Sequence, residues 1–190
     1  MKIFLSLLLI ILSMIGIADS SLITYDKLSG VVPDCGVGFD CGAVLNSEWS
    51  SIGPIPLSLL GLFFYLTVFT LSILNYLDFD IKKITLKLSK RLKLKKNNIL
   101  LLITTQELIL LVTIFGALFS AYLVFLMAVI IEAWCKYCLI SAFTSFTLFL
   151  VSSKLYLKYQ KNSPFLLKKI IISVEHFLYV NIVKKIFFLF

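Results

Sequence analysis

Apolar residues in this chain gather into long unbroken runs, and polar residues gather into the short stretches between them. The first run goes from Ile3 to about Ile17 and continues to Tyr25, because Leu22-Ile23-Thr24-Tyr25 carries a helix onward past Asp19. A polar, turn-rich loop follows from Lys27 to Pro56, punctuated by Gly30, Pro33, Gly36, Gly38, Gly42, Gly53 and Pro54. A second apolar run, Leu57 to Leu77, has about 21 residues; at about 1.5 Å per residue it covers the roughly 30 Å of a bilayer core. A third runs from Leu108 to Ile131 without a charge, and a fourth from about Cys138 to Leu157. Only the short turn Glu132–Tyr137 separates those two. Runs of this length and polarity predict membrane-spanning helices.

Composition agrees with the pattern. The chain has 190 residues, is 60% hydrophobic and only 15% charged, with a mean hydropathy of +1.02. A soluble domain would be nearer half apolar. The expected fold is therefore an all-α integral membrane protein, a four-transmembrane-helix bundle with an external loop. Spans are placed at about 3–25, 57–77, 108–131 and 138–157. Residues 1–157 form the membrane domain and 158–190 a basic amphipathic cytoplasmic tail. The length leaves no room for a separate soluble catalytic domain.

Charge sets the orientation. The net charge of +8 sits beside apolar spans, where it orients the protein rather than binding nucleic acid. Lys82, Lys83, Lys87, Lys90, Arg91, Lys93, Lys95 and Lys96 crowd the stretch from Asp78 to Asn98. With interleaved Ile84, Leu88, Leu92 and Leu94 that stretch suits a helix on an anionic lipid surface, and it serves at least as a cytoplasmic anchor. The tail is read as an interfacial helix rather than a fifth span, because Glu175, His176 and Asn181 interrupt it. His176, the only histidine, is read as a surface residue. Positive-inside charge then leaves Lys27–Pro56 and Glu132–Tyr137 on the exported face. Gly16-Ile17-Ala18 also resembles a signal-peptide cleavage site; a retained first span is preferred, and either reading exports the following loop.

The four cysteines fall in those two exported segments. Cys35 and Cys41 lie in the glycine-rich loop, and Cys135 and Cys138 in Trp134-Cys135-Lys136-Tyr137-Cys138. Exported thiols can form disulfides, and four cysteines allow three pairings. Two inert bridges would brace the loops, but a bridge across so short a loop removes little chain entropy. A four-cysteine zinc site would lie in an oxidising compartment at the lipid interface, so no metal is expected. Thiol–disulfide exchange fits better. Glycines 36, 38 and 42 would let one pair move between a soluble partner and a fixed membrane site. Cys135 and Cys138, at i and i+3, share a helix face at the start of a span, where the helix dipole favours thiolate. Their depth suits an acceptor dissolved in the bilayer.

These motifs together resemble the vitamin K epoxide reductase family in its bacterial form. Ser21-Leu22-Ile23-Thr24-Tyr25 is similar to the end of its first span, and Cys35–x5–Cys41 to its loop pair. Ser47 stands where the family carries a serine, with Trp49 in the same stretch. Gly53-Pro54-Ile55-Pro56-Leu57, Gly61 and Tyr65 resemble the opening of the second span, and Trp134–Cys138 with Leu139 and Ser141 the active-site CxxC. The resemblance covers roughly residues 1–157. It implies a quinone-dependent thiol-disulfide oxidoreductase that supports disulfide formation, with catalytic Cys35, Cys41, Cys135 and Cys138. Ser47 would lie near a bound ubiquinone or menaquinone. Cys35 would meet a separate thioredoxin-like (DsbA-like) soluble protein, Cys41 would relay to Cys135, and Cys138 would deliver electrons to the quinone. The implied location is a bacterial inner membrane. Ala142 stands where animal members carry a tyrosine, which favours simple quinone reduction over epoxide reduction. In a DsbB-like arrangement the CxxC would come first, and here it comes last. The alternative is a non-enzymatic scaffold or transporter subunit with structural disulfides; the charge-free third span speaks against a transporter.

Overall fold

The computed structural model describes residues 2–31, 33, 35–77, 104–159 and 173. The basic Asp78–Asn98 stretch and His176, with nearly all of the tail, lie outside the described residues. Helix α1 (Lys2–Ser29) is followed by a short α2 (Cys41–Leu45), a 3-10 turn (Glu48–Ser50), strands β1 (Ser51–Ile52) and β2 (Ile55–Pro56), and helix α3 (Leu57–Tyr76). Helix α4 (Thr105–Phe125) runs into a π turn at Leu126–Ile131, and α5 is Lys136–Tyr159. The four long helices are apolar and long enough to cross a bilayer. The protein is an all-α membrane bundle.

Sequence explains where these helices start. Thr104 accepts from the Glu107 amide at 3.3 Å, and Glu107 Oε2 accepts from the Thr104 amide at 2.8 Å. This capping box satisfies donors that the first turn leaves open. The helix therefore begins at Thr105, earlier than the apolar run from Leu108 suggests. The fourth long helix likewise begins at Lys136, two residues before Cys138. Between α2 and α3 the chain makes a hairpin with Ser51 opposite Pro56 and Ile52 opposite Ile55. Its turn depends on Gly53, at φ 61°, a conformation that suits glycine.

Packing depends on small residues. On α1, Ser6, Leu9, Ser13, Gly16, Ser20, Ile23 and Thr24 are buried at three- and four-residue spacing, one face of the helix. Ser20 and Thr24 return their hydroxyls to the carbonyls of Gly16 and Ser20, each at 2.6 Å. Such a stripe lets backbones approach in lipid, where helices have no hydrophobic drive to associate. The ring of Tyr65 occupies the space that a Gly16 side chain would need, and the Phe64 ring does the same at Gly116. Helix α5 is central: 56% of its apolar window is buried, against 22–33% for the others. Polar bonds tie neighbours together: Asn75 Nδ2 to Ser6 Oγ at 2.9 Å, Thr113 Oγ1 with Ser152 Oγ at 2.7 Å, and Tyr65 Oη to the Ser141 carbonyl at 2.7 Å.

Candidate functional site

The chain order brings both cysteine segments to one end of the bundle. The Cys35/Cys41 loop leaves the end of α1 and enters α3, and Cys135 lies between the end of α4 and the start of α5. The turn between α4 and α5 is compressed. The π turn ends at Ile131, and Glu132 takes a left-handed conformation at φ 53°. Such features are uncommon, and π turns recur at functional sites. Here they swing the chain across to Cys135 in three residues.

Cys35 and Cys41 form a disulfide with Cα atoms 6.0 Å apart, and both are buried. Cys135 and Cys138 are free thiols. All four belong to one apolar cluster with Ile23, Val44, Met127 and Ala142. One backbone bond sets the register of the two pairs: the Asp40 amide donates to the Trp134 carbonyl at 2.9 Å. Asp40 immediately precedes Cys41, and Trp134 immediately precedes Cys135. Asp40 also caps α2, its Oδ1 accepting from the Ala43 amide at 2.9 Å. Lys27 fastens the loop from the other side: its Nζ donates to the Leu45 carbonyl and to Ser50 Oγ. The loop expected to be mobile is thus docked in this state. Gly36 and Gly38, at φ 78° and 88°, keep the freedom to release it.

Cys135 occupies the N-cap of α5. Its carbonyl accepts from the Leu139 amide at 3.0 Å, and its Sγ accepts from the Cys138 amide at 3.4 Å. A sulfur thus fills the position that a Ser or Asp oxygen fills at other helix starts. The Cys138 thiol donates to Cys135 as well. That bond, with the amides of Cys138 and Tyr137, holds the Cys135 thiol below its ordinary pKa, against its burial.

Behind Cys138 lies a cavity of about 670 Å³ bounded by α1, α3, α4, α5 and the loop. Cys138, Ser47, Trp49, Ser141 and Ala142 line it; Cys135 does not. The two cysteines of the CxxC therefore differ in their surroundings: Cys138 lines the cavity, and Cys135 is buried in the cluster that holds the loop pair. Phe63 and Phe115 line the same cavity and are 60% and 71% exposed on the outer face of the bundle. They mark a lateral opening between α3 and α4 toward lipid. Ser47 Oγ spends its proton on the Val44 carbonyl at 2.8 Å, so it offers the cavity lone pairs unless that bond is exchanged.

Two polar groups here escape a reading by motif. Lys27 looks like one loop charge among several, yet it pins the loop. Asp19 looks like an interruption of an apolar run, yet the residue is buried and lines the cavity. The available signal was that an acidic residue inside a span is a functional flag.

Fold and site together define a membrane helical bundle with two apposed thiol pairs, one oxidised and one reduced, beside an apolar cavity open to lipid. The chain belongs to the vitamin K epoxide reductase family, which it matches over residues 7–153. It is also 32% identical over 141 residues to the thiol-disulfide oxidoreductase LTO1 of Arabidopsis thaliana. That alignment covers 72% of this chain and 32% of the plant protein, so the chain spans about a third of that relative's length.

Proposed function

We propose that this protein is a membrane thiol-disulfide oxidoreductase that oxidises an exported thioredoxin-like protein and passes the electrons to a membrane quinone. The observation that carries the reading is the Asp40–Trp134 backbone bond, which holds the loop disulfide against the CxxC while Cys138 alone of the four cysteines lines the cavity. A thiol of the partner attacks Cys35, the Cys35–Cys41 bond breaks, and Cys41 leaves as thiolate. Cys41 then attacks Cys135 of an oxidised CxxC, and Cys138 leaves. The partner's second thiol then displaces Cys35 and the partner leaves as a disulfide. Cys35 attacks Cys41 of the Cys41–Cys135 bridge and Cys135 leaves as thiolate, so that the loop pair is again oxidised and the CxxC reduced, the arrangement described above. The depressed Cys135 thiol favours thiolate in the cluster that holds the loop pair.

The cavity residues fit a quinone. The walls are apolar, the opening faces lipid, and Asp19 Oδ2 and Ser58 Oγ are buried there without partners among the described residues. When bound, a quinone supplies a two-electron, two-proton acceptor beside Cys138. Ubiquinone and menaquinone both satisfy this chemistry. Within the same reading, residues 1–157 are the membrane domain and 158–190 a cytoplasmic tail. The cysteine end faces the exported side of a bacterial inner membrane, an orientation that the basic 78–98 stretch supports.

The test mixes purified protein with a reduced DsbA-like partner and quinone, and follows quinol formation. Cys135→Ala and Cys138→Ala should each abolish it, and Cys41→Ala, in which Cys35 is a free thiol, should form a mixed disulfide with the oxidised partner by attacking its disulfide. Quinol formation that is independent of the cysteines would sink the reading.

A further inference from the structure

The cavity holds polar capacity that the cysteine relay does not use. Most of its hydroxyls are spent internally. Tyr65 donates to the Ser141 carbonyl at 2.7 Å, and its oxygen lies 2.9 Å from Ser141 Oγ. Ser20 donates to Gly16, Ser47 to Val44 and Thr67 to Phe63. Asp19 Oδ2 and Ser58 Oγ stand apart, since both are buried and lack a hydrogen-bond partner among the described residues. Both line the cavity. Asp19 is one turn from Gly16, on which the Tyr65 ring packs, and adjacent to Ser20, which faces Gly61 of α3. Ser58 lies one turn from Gly61 on α3. The two unpartnered groups therefore come from the same α1–α3 crossing.

An isolated carboxylate in apolar surroundings is costly, so the protonated acid is the form that belongs at Asp19. A protonated carboxyl carries one O–H donor. The titratable groups that share the cavity are Tyr65 from α3, Cys138 from α5 and Lys27 from α1; α4 contributes none. Tyr65 and Lys27 are committed to Ser141 and to Leu45 with Ser50. Asp19 is the acid left free to meet a ligand.

We propose that Asp19 is the proton donor to the quinone: its carboxyl hydrogen-bonds one carbonyl oxygen and protonates it as electrons arrive from Cys138. This rests on the quinone reading above. In the step, the S–H bonds of Cys135 and Cys138 break and one S–S bond forms. The two electrons and two protons released turn two carbonyls into two hydroxyls. Asp19 gives one of those protons and is reprotonated by a proton that the thiols release, so dithiol and quinone are the only reactants. Ser58 donates a supporting hydrogen bond.

The experiment compares full-length wild type with Asp19→Asn and Asp19→Leu, using a short-chain benzoquinone. Binding is read from quenching of tryptophan fluorescence, because Trp49 lines the cavity. Asn keeps an N–H donor but has no acidic proton. It should leave binding near wild type while quinol formation falls about 10²-fold, the usual worth of a general acid. Leu should weaken binding about tenfold as well, the loss of one hydrogen bond. In infrared difference spectra, quinone binding should shift a protonated carboxyl band that Asp19→Asn lacks. Wild-type binding and turnover with an equally fast Asp19→Asn, or with no such band, would overturn the proposal alone. A wild type that neither binds nor reduces the quinone would overturn the quinone reading and this inference with it.

Discussion

Asp40→Ala should loosen the docked loop, and the size of the effect follows from what Asp40 holds. Its carboxylate accepts from the Ala43 amide and caps the short helix that begins at Cys41. Losing an N-cap of this kind costs about 0.5–2 kcal/mol. The Cys35–Cys41 disulfide is buried, so an external dithiol reaches it only when the loop opens. When opening is fast relative to attack, the rate of reduction follows the open population. About 1 kcal/mol then speeds reduction about fivefold. The assay treats oxidised protein in detergent with dithiothreitol and labels the released thiols at timed intervals. Asp40→Asn is the decisive control, because it removes the same negative charge beside Cys41 but keeps a side chain that caps as well as Asp. Asn should therefore match wild type. Asp40→Pro also deletes the amide that donates to Trp134 and should be faster than Ala. Equal rates for Ala, Asn and wild type would refute the claim that this cap governs docking. Equal acceleration by Ala and Asn would assign the effect to charge.

Two further outcomes test the site and its support. In reduced protein, Cys135 should alkylate with a pH midpoint below that of free cysteine, because its hydrogen bonds favour thiolate; Cys138→Ser should move that midpoint, and a midpoint at or above free cysteine in the intact pair would contradict the capping geometry. Gly16→Ala should destabilise the bundle by about 1–3 kcal/mol, because its new Cβ meets the Tyr65 ring, whereas Gly61→Ala meets only Ser20 Cβ at 3.9 Å and should be tolerated; thermal unfolding in detergent measures both, and equal stability of the two variants would refute the packing argument.

The bundle was legible in the chain because a bilayer forces it. Backbone polar groups in lipid must be satisfied internally, so a run such as Leu108–Ile131 has little choice but helix. Helix starts were less legible, since polar residues set them. Thr104 and Glu107 form a capping box that hydropathy reads as mere polarity, and Cys135 caps with sulfur. The hairpin at Ser51–Pro56 was hidden inside a stretch rich in turn residues, where two-residue strands leave no alternating pattern. Cysteine spacing pointed to two pairs, and chain topology places them at one end. What spacing could not show is their register, which one backbone bond between Asp40 and Trp134 supplies, or the division of Cys135 and Cys138 between loop and cavity. An acidic residue inside a span was a signal at Asp19, but its burial and lack of a partner come from α1 crossing α3.

The sulfur cap on the last helix ties electron count to helix integrity. With the CxxC reduced, Cys135 Sγ accepts from the Cys138 amide and the first turn is closed. Oxidation removes the thiolate, and the helix end loses the anionic acceptor its dipole favours. Stabilising the reduced form makes a disulfide a stronger oxidant, so this helix end raises the oxidising power of the CxxC. The Cys138 amide then becomes a gauge of turnover, protected from hydrogen exchange after electrons arrive and exposed once they have left.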